Sequence, residues 1–305
     1  MGKSSLWSAF VHRNRLGVFG LVVLVAMIVA AVFAKWIAPA DPLRIDMLHR
    51  FLPPSFQHLF GTDDLGRDVF SRMVYGARIS LEVGIISTGI AAVLGVFFGV
   101  IAGWRAGSAS DNVIMRVMDV LLAFPAILLA IAIMATLGPS VGNVMIAIGI
   151  VNIPVFARIA RASVIQVVPL EYVEASRASG ASWPRSLMRD VVPNSLGPII
   201  VQVSLTMASA ILAEAALSFL GLGVQPPTPS WGGMLSSAQD YLTLAPWEAV
   251  FPGVAIFISV FGLNLIGDGL RDALDPKARN SRSAMKAAEQ ESSQGQRWGQ
   301  EQRDA

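Results

Sequence analysis

Six apolar runs constrain this chain more than any other feature: residues 16–34, 80–103, 115–137, 141–160, 196–223 and 249–268. Each is close to the roughly 20 residues a helix needs to cross the hydrocarbon core of a bilayer. In lipid the backbone must satisfy its own hydrogen bonds, so runs of this length can only be helices. The expected fold is therefore all-α, a polytopic membrane protein with six transmembrane helices. The charged fraction of 14%, far below the roughly 25% of soluble domains, agrees. An even number of spans puts both termini on one side. Seventeen of the 23 Lys and Arg fall in 1–15, 105–116, 158–189 and 271–303, which assigns those segments to the cytoplasm. The exceptions are Lys35 and the five arginines of 39–78, which face five aspartates there.

The first run follows Lys3, Arg13 and Arg15 and could pass for a signal peptide. It is longer than a signal core of about 7 to 15 residues, so it is expected to remain as the first span. Gly2, Lys3 and Ser4 imitate the end of a nucleotide-binding loop, but the upstream glycine and strand are missing. Within 39–78, Thr62, Asp63 and Asp64 form a helix start. Val69, Phe70, Met73 and Val74 share a face, which predicts a short helix along the membrane surface before the second span.

Side-chain chemistry excludes much. Cysteine is absent and His12, His49 and His58 all lie outside the apolar runs, so neither metal nor cofactor is expected. HExxH and GxSxG are missing, which argues against a membrane-embedded enzyme. A net charge of +2 does not suggest nucleic acid. Glu214 is the one acid well inside an apolar run. It and Asn264 are candidates for a polar pathway, since an intramembrane carboxylate is costly; Ser209 or Ser218 of its own helix could instead satisfy Glu214. Gly95, Gly99 and Gly103 repeat every four residues and predict close helix packing. Pro125, Pro154 and Pro252 interrupt spans three, four and six, which predicts kinks.

The most polar internal stretch, 171–193, reads EYVEASRASGASWPRSLMRDVVP. Glu171, Glu174, Ala175, Ala178 and Ser179 recur at helical spacing, then Gly180, Ser182 and Pro184 break the pattern. The result is a short helix, a turn and a second short helix, too short to be stable without docking on something.

Glu174, Ala175, Ser176, Gly180 and Pro193 resemble the EAA loop of the membrane subunits of binding-protein-dependent ABC importers. Ser176 replaces an alanine, Asp190 an apolar residue and Val192 a leucine of that pattern. FGTDDLGRDVFSRMVYGARISL (60–81), SFLGLGVQPPTPSWGGML (218–235) and FPGVAIFISVFGLNLIGDGLRDALDP (251–276) are similar to the second, C-type permease of dipeptide, oligopeptide and nickel importers. The resemblance covers about 10–280.

It implies an ABC importer type I permease fold in a bacterial inner membrane, with no cofactor of its own. The implied partners are a second permease, two ATP-binding subunits that hydrolyse ATP, and an extracytoplasmic solute-binding protein. Glu171, Glu174, Ala175, Ser176, Gly180 and Pro193, within 169–195, would contact the ATPase, with Pro193 ending the second short helix. Three parts are expected: 1–78 with the first span and an outer loop, 79–270 as the transporter domain, and 271–305 as a disordered cytoplasmic tail. Peptide is the expected solute, with nickel or another small solute as the alternative. A solitary ion-coupled carrier would need intramembrane acids or inverted repeats, for which Glu214 alone is thin support.

Overall fold

The computed structural model describes residues 15–274. The nucleotide-loop look-alike at 2–4 and the tail from 275 onward lie outside them. All regular structure among these residues is helical. The main elements are α1 (Arg15–Val32), α2 (Val69–Trp104), α3 (Ala109–Ala123), α4 (Ala126–Leu137) and α5 (Val141–Val167). Then follow α6 (Glu171–Ala178), α7 (Trp183–Ser186), α8 (Val192–Phe219), α9 (Trp231–Ala238) and α10 (Trp247–Leu274). Four helical stretches are long and apolar enough to cross a membrane: α2, α5, the run Trp183–Phe219 and α10. The bent pair α3 and α4 makes a fifth, and the shorter apolar helix Leu16–Val32 accompanies them. These are the six apolar runs of the sequence.

Three boundaries differ from expectation. The surface helix predicted before span two does not exist as a separate element, because α2 runs unbroken for 36 residues, about 54 Å at 1.5 Å per residue. Asp68 starts it by accepting from the Ser71 N–H at 2.8 Å. Val69, Ser71, Arg72 and Val74 are then buried, with Ser71 and Arg72 bonded to Ala40 and Pro42, so the first turns pack on protein rather than on lipid. A division at residue 78 would cut this helix. Residues 271–274 likewise belong to α10 rather than to a tail.

Of the three prolines expected to interrupt spans, only Pro125 does. Proline drives the preceding residue out of the helical region, and Phe124 is extended at φ −89°, ψ 137°. The chain bends there by 91°. Pro154 and Pro252 lie inside continuous helices.

The bundle is organised on α2 and α5, its most extensive helix pair. A Cβ on Gly95 would sit 2.6 Å from the Ile153 carbonyl, one on Gly103 2.8 Å from that of Arg161, and one on Gly99 against the Ala157 carbonyl. Backbone faces backbone along three turns. A second seam joins α1 to α10, where a Cβ on Gly20 would strike the Gly262 carbonyl. Around these seams Phe156, Val164, Val173 and Val191 form one buried cluster, and Val69, Ile211, Leu263 and Trp231 another.

The packing predicts opposite outcomes for two glycines of one helix. Gly99→Ala must push apart two backbones and should cost about 1–3 kcal/mol, lowering the thermal midpoint of the detergent-purified protein. Gly89, whose added Cβ meets nothing within 4 Å, should tolerate alanine with an equal or higher midpoint. Equal midpoints for the two variants would show that the seam is not tight.

Candidate functional site

At the end of the bundle where α2 finishes and α5 finishes, 171–191 folds as a helix, a turn and a short helix. Leu170, with extended backbone at φ −74°, ψ 141°, opens α6, and fully buried Val173 pins it to the bundle. The Arg177 guanidinium lies 5.1 Å from the centre of the Trp104 ring at the end of α2, a cation–π contact. Gly180 makes the turn at φ +85° with open space where a Cβ would be, so backbone conformation alone selects glycine there. The rest of the loop faces outward. Glu171, Glu174, Ala175 and Gly180 are exposed, as are the apolar Tyr172, Trp183 and Met188.

Pro193 does not end the second short helix. Leu187–Val191 forms a π-helical turn, and the Val192 N–H reaches back to the Leu187 carbonyl. The widened turn leads directly into α8, where Pro193 occupies the first turn, a position at which its missing N–H is harmless. Loop and span are thus one helical rod from Trp183 to Phe219.

Two of the three residues that depart from the EAA pattern, Ser176 and Asp190, are partners. Ser176 Oγ donates to Asp190 Oδ2 at 2.7 Å across the turn, and Asn194 Nδ2 donates to the Asp190 carbonyl at 2.7 Å. A hydroxyl in the place of an alanine meets a carboxylate in the place of an apolar residue. Each departure satisfies the other.

Glu214 and Asn264 each bond to a residue four positions away on their own helix. Glu214 has no exposed surface. Its Oε1 accepts from Ser218 Oγ at 2.8 Å, and the same hydroxyl accepts from the Val224 N–H at 3.0 Å. The carboxylate therefore ties the end of α8 to the turn beyond it; of the two serines that could satisfy it, Ser218 is the one used. Asn264 Nδ2 donates to the Val260 carbonyl of its own helix at 3.0 Å.

At the opposite end of the bundle, 39–68 is held by a buried ionic cluster. Asp63 accepts from Arg67 Nε at 2.7 Å, Arg72 Nε lies 3.4 Å from the same carboxylate, and Arg72 Nη1 donates to the Pro42 carbonyl at 3.2 Å. Trp247 Nε1 donates to the Thr62 carbonyl at 3.1 Å, and Phe60 stacks on Phe251 at 3.9 Å. Nearby, the His49 ring holds the Asp46 carboxyl below its usual range. These contacts seat the segment on α2 and α10.

Two further ion pairs join α3 to α5. Arg161 grips Asp111 with two bonds, Nε to Oδ1 at 2.6 Å and Nη2 to Oδ2 at 2.8 Å. Arg158 Nη2 donates to Asp119 Oδ1 at 2.6 Å. By sequence Arg158 counts among the cytoplasmic charges at the end of the 141–160 run, and it lies within α5. The missed signal was the spacing: Asp111 and Asp119 eight residues apart, and Arg158 and Arg161 three apart, each set on one helix face.

Comparison with known proteins decides the family. The description "Binding-protein-dependent transport system inner membrane component" fits residues 95–280. The chain belongs to that family. "N-terminal TM domain of oligopeptide transport permease C" fits residues 5–54, so the first span has its own counterpart. The Dipeptide transport system permease protein DppC of Alkalihalophilus pseudofirmus is 47% identical over 88% of this chain and 88% of its own length. The Di/tripeptide transport system permease protein DppC of Pseudomonas aeruginosa is 47% identical over 90% of this chain and 92% of its own. The Probable D,D-dipeptide transport system permease protein DdpC of Escherichia coli is 43% identical over 92% and 94%. Among solved structures, an inward-facing form of the MetNI methionine ABC transporter matches with a TM-score of 0.56 at 19% identity, over 68% of this chain and 97% of that one. The fold is that of an ABC importer permease, and this chain is a transport subunit of the bacterial inner membrane.

If Ser176 and Asp190 act as a unit, a double-mutant cycle will show it. Ser176→Ala and Asp190→Ala should each lower stability in detergent by about 1 kcal/mol, and the double variant should lose no more than the worse single one. Additive losses would mean that the bond contributes nothing.

Proposed function

We propose that this chain is one of two permease subunits of an ATP-driven importer carrying di- and oligopeptides delivered by an extracytoplasmic solute-binding protein. The peptide assignment rests on what the relatives are named for. The excess of Lys and Arg supports an orientation with 171–191 and both termini in the cytoplasm and with 39–68 and 220–246 facing the binding protein.

The observation that carries the coupling role is the construction of the 171–191 loop. It is anchored from behind by Val173 and by Arg177 on Trp104, yet it exposes Glu174, Tyr172, Trp183 and Met188 together. Exposed apolar side chains beside charges on a fixed support suit a protein partner. A separate ATPase subunit would push on α6. Because the second short helix continues through the π turn into α8, such a push would reach the bundle without a slack joint. The two-permease pathway would then alternate between outward and inward openings as ATP is bound and hydrolysed.

Gly180→Val tests this role. Valine at φ +85° is strongly disfavoured, so the turn should rearrange while the spans, which the turn does not touch, insert normally. ATP-dependent uptake of a labelled dipeptide into proteoliposomes should fall to background with unchanged membrane levels of the chain. Normal uptake by this variant would remove the coupling role.

A further inference from the structure

The ion pairs between α3 and α5 lie toward the end of the bundle that the Lys and Arg excess assigns to the cytoplasm. At 1.5 Å per residue, Arg158 is nine residues, or about 14 Å, from the end of a 27-residue spanning helix. Its side chain is 55% exposed and that of Asp119 is 47% exposed. Charged groups this open at the end of a spanning bundle face water rather than lipid, at the mouth of any solute route through it. Asp111 and Arg161 differ: Asp111 is 2% exposed and also accepts from the Gly107 N–H at 2.8 Å, so that pair is committed to holding α3 on α5. The outer pair has no such second partner on the acid. Between the two pairs lies a cleft of about 400 Å³ lined by Asp111, Asn112, Met115, Asp119, Arg158 and Arg161, within the ~300–1,000 Å³ typical of small-ligand sites. Its wall is charged and polar except for Met115, and its formal charge is zero. The centre of a protein interface is depleted in charged residues, which disfavours a partner chain as the occupant. A neutral wall carrying one available cation and one available anion fits a zwitterion.

We propose that Asp119 and Arg158 form a solute subsite, in which a peptide in transit separates the pair and places its terminal ammonium on Asp119 and its terminal carboxylate on Arg158. The subsite rests on the peptide-importer reading above and deepens it. Guanidinium and carboxylate match as a two-point, charge-assisted pair, so the peptide's ends replace the contacts the side chains make with each other. The subsite reads the two termini and leaves the side chains of the peptide unread.

The chain has no cysteine, so Asn112→Cys places one thiol at the exposed rim of the cleft without touching either ion pair. The complete importer carrying it is reconstituted in liposomes and treated with a membrane-impermeant, cationic methanethiosulfonate, and labelling of this chain is followed. The expected result is ready labelling that Ala-Ala slows, with N-acetyl-Ala-Ala and Ala-Ala-amide each needing about tenfold more peptide for equal protection, as for the loss of one charge-assisted bond. In an Arg158→Gln background the free peptide should weaken to the level of the amide, and in Asp119→Asn to that of the acetylated peptide. An unreactive thiol would place the face against lipid or a partner chain and overturn the proposal, as would equal protection by free and capped peptides. That second comparison needs only the intact pairs, so it decides even if the charge variants fail to assemble. ATP-dependent Ala-Ala uptake by the unsubstituted importer is measured alongside. Its absence would remove the peptide-importer reading and this subsite together, whereas uptake without protection would remove the subsite alone.

Discussion

The close approach of α2 and α5 is the constraint on which the rest of the molecule depends. Lipid tails are as apolar as the side chains they touch, so helices in a bilayer gain little from burying oil and associate where backbones can come close. Gly95, Gly99 and Gly103 provide that approach against Ile153, Ala157 and Arg161. Once α2 and α5 are fixed, α5 presents Arg158 and Arg161 to α3 on one side. Its end delivers α6 beside Trp104 on the other. The seam thus sets the position of both the exposed loop and the charged cleft.

Polar groups then appear where two segments must be joined, and several of them bond to near neighbours in sequence. Glu214 costs a buried carboxylate and meets Ser218, which in turn fixes Val224. Asp63 neutralises Arg67 and approaches Arg72, so the first loop is locked to the top of α2. A buried pair of this kind adds little net stability but is costly to break, because removing one partner strands the other charge. Such joints fix how the segments they connect are placed on one another.

The sequence revealed the spans because length and apolarity suffice to identify a helix in lipid. It revealed the turn at Gly180 because only the backbone matters there. Helix ends were less legible. The start of α2 at Val69 is a polar turn held by Ala40 and Pro42, distant in sequence, and local pattern does not register such neighbours. Pro154 and Pro252 show the same limit, since a proline within a packed span need not break it. The two departures at Ser176 and Asp190 read as flaws one at a time and as a hydrogen bond once the turn brings them together. Asp119 and Arg158, 39 residues apart, become a pair only when α3 lies along α5.

The most direct test of the central claim, that an ATPase docks on the outward face of α6, uses the natural absence of cysteine. Glu174→Cys, carrying a short thiol-reactive photo-crosslinker, is placed in the assembled importer and illuminated with and without ATP. The account predicts one dominant adduct, joining this chain to a nucleotide-binding subunit, with a yield that changes on nucleotide binding. Adducts only with lipid, with the solute-binding protein, or with no protein at all would contradict it.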